Sequence, residues 1–222
     1  MPSGVDLQKR PNQAAGSSIV FLGSFNPSIF QPAWLMRHQL IADEPDSQNI
    51  EVVSQPITSF TFEWLRVIAQ PEKLELHASD EAPSPKALVD LASGIFDLLP
   101  HIPVGAFGIN QYVHFSVETR EAYDAIGFRL FNREVWEGVL ENPRMRAVAI
   151  ENRHGDFDHP NRITTVNVQP STVTKQAVFV TTNDHFPRKE VGEAAESVQK
   201  LKEVFDDVMR DAGSLIDHVR ML

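Results

Sequence analysis

The chain of 222 residues contains no cysteine. That removes disulfides, thiolate nucleophiles, zinc–thiolate centres and iron–sulfur clusters together, and it leaves His, Asp and Glu as the side chains able to ligate a metal. It also fits a reducing compartment, and a cytoplasmic location is expected. Long apolar runs are missing as well. Stretches such as Ile19 to Leu22 fall far short of the roughly 20 residues a membrane-spanning helix requires, so no membrane role is expected. Basic residues are the minority, 20 Lys and Arg against 30 Asp and Glu, for a formal charge of -10. Gripping a polyanion needs clustered Lys and Arg, and nucleic acid is not expected as a partner. There is no Gly-x-Ser-x-Gly elbow, P-loop, dinucleotide fingerprint or His-Glu-x-x-His, and Gly105 and Gly108 are too few for a phosphate cradle.

What remains is an ordinary globular composition, 42% apolar and 23% charged, of a length that suits one domain. Residues 1–16 are polar, with Pro2, Gly4, Pro11 and Gly16 and no apolar core of a secretory signal, and read as a flexible tail. Ser18 to Leu22 is rich in β-formers and predicts a buried strand ending at Gly23. Pro32 suits the first turn of a helix reaching about Ile41, and Asp43 to Asn49 reads as a polar loop. Ile50 to Ala69 and Lys73 to Ala78 read as strands of a hairpin turning at Gln70-Pro71-Glu72. Ser84-Pro85 supplies a start signal for a helix whose Leu88, Leu91, Ile95 and Leu98 keep helical spacing until Pro100.

From Val104 to Val117 the period becomes two, with Phe107, Ile109, Val113, Phe115 and Val117 on one face and Gly108, Asn110, Tyr112, His114 and Ser116 on the other. Helical stretches at about Thr119 to Ile126 and Glu134 to Leu140 precede three strand candidates, Met145 to Glu151, Arg162 to Gln169 and Ala177 to Thr182. Their short connections favour antiparallel pairing. The whole reads as an α+β domain over 17–222 with a mixed, mainly antiparallel sheet, packed helices and a long C-terminal amphipathic helix. The order allows two similar sub-halves, 17–130 and 140–222.

That terminal helix, from about Glu190, carries the clearest pattern. Val191, Ala194, Val198, Leu201, Phe205, Val208, Ala212, Leu215 and Val219 follow intervals of three and four without a break, a heptad seam. Such a stripe either covers the chain's own sheet or meets a partner, and Val198, Leu201, Phe205 and Val208 are the candidate interface residues.

Polar constellations are sparse. His154, Asp156, Asp158 and His159 lie within six positions and could surround a divalent cation, although Gly155 and Pro160 equally mark a solvated hairpin loop. In Asn183-Asp184-His185 an Asp beside a His could orient an imidazole, and His114 could join them from the polar face of its strand. Adjacent residues on extended backbone point to opposite faces, which argues for a capping role instead.

From Ser18 to Phe186 the sequence resembles an uncharacterised bacterial protein family. The resemblance rests on Val20-Phe21-Leu22-Gly23 with Phe25-Asn26-Pro27, Pro32-Ala33-Trp34, Gly108-Ile109-Asn110, Trp136-Glu137-Gly138 and Asn183-Asp184-His185. It implies a bacterial source and brings no activity with it. The middle of the chain is also similar to a larger group of sporadically distributed bacterial proteins, which implies an accessory role in a mobile or defence gene neighbourhood. The expectation is therefore a non-enzymatic interaction or assembly module without a cofactor, whose partner is another protein or a second copy. The alternative is a metal-assisted hydrolase, with a divalent metal on the His154 to His159 loop and His114, Asp184 and His185 as catalytic candidates.

Overall fold

The protein is described by a computed structural model covering residues 12–42, 48–54 and 57–222. Of the expected tail, residues 1–11 lie outside the described residues, and from Asn12 the chain is already strand. Of the expected polar loop, 43–47 lie outside them too.

Among the described residues nine strands form one sheet. They are β1 (Asn12–Gly23), β2 (Gln48–Ser54), β3 (Ile57–Phe62), β4 (Leu65–Gln70), β5 (Lys73–Ser79), β6 (Pro103–Ser116), β7 (Val148–Gly155), β8 (Pro160–Pro170) and β9 (Ala177–Glu193). Four α-helices accompany them: α1 (Pro32–Arg37), α2 (Ala87–Leu98), α3 (Arg120–Leu130) and α4 (Ala194–Arg220). The strand order is β2-β3-β4-β5-β1-β6-β9-β8-β7. β1 and β6 form the centre, and a meander extends outward from each.

The expected α+β class with a mixed sheet is corrected by this arrangement. Every neighbouring pair of strands is antiparallel, and the sheet dominates the chain while the helices cover it. The strand–helix–strand run from β5 through α2 to β6 is a parallel crossover, which explains the mixed reading. However, β1 lies between those two strands, so the parallel pair are not neighbours.

Two further differences matter for function. The segment read as Ile50 to Ala69 contains a turn at Glu63-Trp64, where Glu63 takes φ 47°, a left-handed conformation that no glycine announces. The last strand runs far past Thr182, because Val178, Val180, Thr182, Asp184 and Phe186 continue to face the helices. Glu190 to Glu193 therefore belong to β9, and α4 begins at Ala194.

All four helices lie on one face. α1 seats Leu35 with Phe30 against Phe60, Leu65 and Val67, and α2 buries Leu88, Leu91 and Ile95 in the same core. α3 buries Ile126 with Phe115, Val168 and Val178. α4 crosses β6 and β9 and packs on α2, burying Val198, Leu201, Phe205, Val208 and Ala212. Each such large side chain taken from water contributes about 1.5–3 kcal/mol. Along α4 the inward position passes from the expected Leu215 to Ile216, because a straight helix of period 3.6 drifts by about 20° per heptad from a 3.5 repeat.

Candidate functional site

Through the register one row of side chains can be followed across the helix-covered face: Phe60, Val67, Leu76, Ile19, Ile109, Asp184, Thr164 and Asn152. It is apolar as far as Ile109 and polar from there outward. Asp184 is fully buried. Its Oδ1 accepts from Arg162 Nε at 2.7 Å and from Thr164 Oγ1 at 2.5 Å, while Arg162 NH1 donates to Asp211 Oδ2 of α4 at 3.1 Å. Because the Thr164 proton is committed to the carboxylate, its oxygen is left to accept from His154 Nε2, 2.9 Å away. Asn152 Nδ2 lies 3.2 Å from the same nitrogen, which in this tautomer carries its proton and accepts nothing from the amide.

Burial opposes the Arg162 charge, but the hydrogen bond and charge of Asp184, followed by those of Asp211, outweigh it and hold the guanidinium above its ordinary pKa. Asp184 Oδ2 and Thr182 Oγ1, neighbours on this face of β9, have no hydrogen-bond partner among the described residues. Arg162, Thr164 and Asp211 were not singled out in the sequence. The signal that could have found them is Asp184 itself: at an inward position of an apolar strand, a carboxylate requires a cation.

The structure disperses the other candidates. His114 and His185 face away from the helices, opposite to Asp184, and are separated by six residues of register between Phe179 and His185, about 20 Å along the sheet. The His114 ring stacks on Phe179 with centroids 4.2 Å apart, and Nδ1 lies 2.9 Å from Ser171 Oγ. That hydroxyl oxygen also accepts from the backbone N–H of Val173 and Thr174, so its proton is available to the imidazole. His114 thus pins the β8–β9 connection. Burial lowers the pKa of both His114 and His185.

In the β7–β8 hairpin, Asp156 Oδ1 accepts from the backbone N–H of Asp158 and His159, closing the turn, and the His159 ring nitrogen lies 3.9 Å from it. His154 points instead into the polar row. Among the described residues no three of His, Asp and Glu come together as a metal-holding group. Val198, Leu201, Phe205 and Val208 all lie buried against the chain's own sheet and α2.

The outermost strand of this half is unusual in another way. β7 pairs only with β8 among the described strands, and Ala149 to Arg153 are exposed on both faces. Ile150 is 55% exposed. The segment leading into β7 forms one 3-10 turn, Arg133–Trp136, in place of the expected helix from Glu134 to Leu140. Gly138 then takes φ 78°, and the N–H groups of Val139 and Leu140 turn back to the Trp136 carbonyl at 3.2 and 3.0 Å. This turn displays Trp136, 45% exposed, and Val139, 74% exposed. Trp136 and Leu140 share a shallow groove of ≈ 260 Å³ with Pro143, Met145 and Val148 at the start of β7.

No protein-family model matches the chain, and no curated protein matches its sequence.

Proposed function

We propose that the protein is a non-enzymatic assembly module that joins a second copy of itself through the open edge of β7. The observation that carries this reading is a strand exposed on both faces and along one edge, with the exposed apolar residues Trp136, Val139 and Leu140 beside it. An unpaired edge of this kind offers a row of backbone donors and acceptors, and an adjoining apolar patch supplies the affinity. Self-pairing is favoured over an unrelated strand by charge. Two β7 strands paired antiparallel about Asn152 set Glu151 of each copy opposite Arg153 of the other, an isologous contact with two complementary pairs. The α4 seam has no part in it. The lack of cysteine suits assembly in a reducing cytoplasm, and among the described residues no helix is long and apolar enough to cross a membrane.

Size-exclusion chromatography with light scattering tests the proposal. At high micromolar concentration the wild type is expected at twice its 24.9 kDa chain mass, and Ile150→Lys and Val139→Asp at the single-chain mass. A wild type that stays monomeric over that range, or variants that dimerise as before, would contradict it.

A further inference from the structure

A cleft of ≈ 430 Å³ lies on the helix-covered face where α2 and α4 part above the start of β1. Its floor consists of small side chains, Ala15 and Ser17 of β1 and Ala78 of β5, with Leu88 of α2 and Ile216 of α4 as apolar walls. Its size is that of a small-molecule site.

Two features of the walls go unexplained by folding. The first is Arg220, which lines the cleft and is 7% exposed. Its guanidinium lies over the Phe115 ring at 5.5 Å, NH2 donates to Asn12 Oδ1 at 2.7 Å, and NH1 is 3.5 Å from Asp217. Its Nε is buried with no acceptor among the described residues. A buried guanidinium with an idle donor is costly unless an acceptor arrives. The second is Gly213, in the interior of α4 and also lining the cleft. A Cβ there would meet nothing within 4 Å, so packing does not require glycine at a position where it weakens a helix. What the glycine preserves is the space.

We infer that this cleft binds a small zwitterion of amino-acid size, its carboxylate on Arg220 and its ammonium group toward Asp80. A carboxylate supplies the oxygen that Nε lacks, and by displacing Asn12 it would engage Nε and NH2 as a fork. Asp80, at the end of β5, lines the cleft on the side away from Arg220, two strand spacings or about 10 Å across β1 from the strand bearing Phe115. Phosphate compounds are disfavoured because Asp80 and Asp217 both line the cleft and repel a multiply charged anion.

Thermal denaturation of the whole chain, with each standard amino acid, with acetate and with inorganic phosphate at millimolar concentration, tests this. One or more amino acids are expected to raise Tm by roughly 3 °C or more, and acetate and phosphate are not. Gly213→Leu, which fills the space and leaves Arg220 in place, should abolish the shift while the melt stays cooperative. Asp80→Asn, at an exposed position, should weaken binding roughly tenfold. The inference is overturned if no amino acid raises Tm, if inorganic phosphate does so equally, or if Gly213→Leu and Asp80→Asn leave the shift unchanged.

Discussion

In the first meander β3, β4 and β5 turn Phe60, Val67 and Leu76 toward the helices, and in the second β9, β8 and β7 turn Asp184, Thr164 and Asn152 to the same face in the same row. Both begin beside a central isoleucine, Ile19 or Ile109. In the first half this row is apolar from β3 through β5, so the sheet's architecture does not demand a polar row at these positions. Buried leucine contributes about 1.5–3 kcal/mol, whereas a buried ion pair often contributes no net stability over an apolar substitute. The second half therefore gives up adhesion and gains directional bonds that tie α4 to β8 and β9. Its outer strand, β7, is exposed on both faces from Ala149 to Arg153.

The comparison is broken most strongly at Asp184. Asp184→Ala leaves the Arg162 guanidinium without its buried partner and should destabilise the protein by about 3–5 kcal/mol. Leu76→Ala, in the matching position of the other half, should cost about 2–5 kcal/mol through the cavity it leaves. The two losses are similar in size, and a third variant separates their causes. Making the second half resemble the first, with Asp184→Leu, Arg162→Met and Thr164→Val together, should recover most of the Asp184→Ala loss and end within about 1 kcal/mol of the wild type, or above it. Urea unfolding midpoints measure all three. A triple variant as unstable as Asp184→Ala would show that the fold requires the polar row.

A smaller effect, the response to pH, is shared by the two halves. Burial lowers the pKa of His77 in the first half, where the charge and hydrogen bond of Glu75 oppose it and the charges of Arg66 and Lys73 add to it, and burial alone lowers that of His114 and His185 in the second. A histidine depressed in the folded state binds its proton more readily when unfolded. Its contribution is complete above the ordinary value of 6.5 and is lost as pH falls from there through the folded-state pKa. Thermal melts should shift downward between about pH 7 and about pH 5, and His77→Gln and His114→Gln should each flatten that dependence. A variant whose melts keep the full wild-type pH dependence would contradict this for its histidine.

The first half was the more legible in the sequence because its inward positions are apolar. The alternation of Leu74, Leu76 and Ala78 and the spacing of Leu88, Leu91 and Ile95 state the burial pattern directly. So does the α4 seam, except in its last turns, where helical drift moves the inward position to Ile216. The full length of β9 is hidden in the sequence because Thr182 and Asp184 look like the end of a strand, and only Arg162 and Thr164, distant in the chain, with Asp211 holding Arg162, explain why Asp184 is buried. The turn at Glu63 carried no glycine or proline to mark it. The His154 to His159 segment suggests a ligand cluster, but strand geometry turns His154 to the Thr164 hydroxyl while His159 stays in the turn.

The β7 edge can be observed directly by hydrogen exchange. β7 amides are followed with the wild type diluted from high to low micromolar concentration, and the inner strands β1 and β6 serve as the reference. Self-assembly through this edge predicts that the outward-facing amides of β7 are protected at high concentration and exchange rapidly on dilution, while β1 and β6 stay protected throughout. Fast exchange along that edge at every concentration would contradict it.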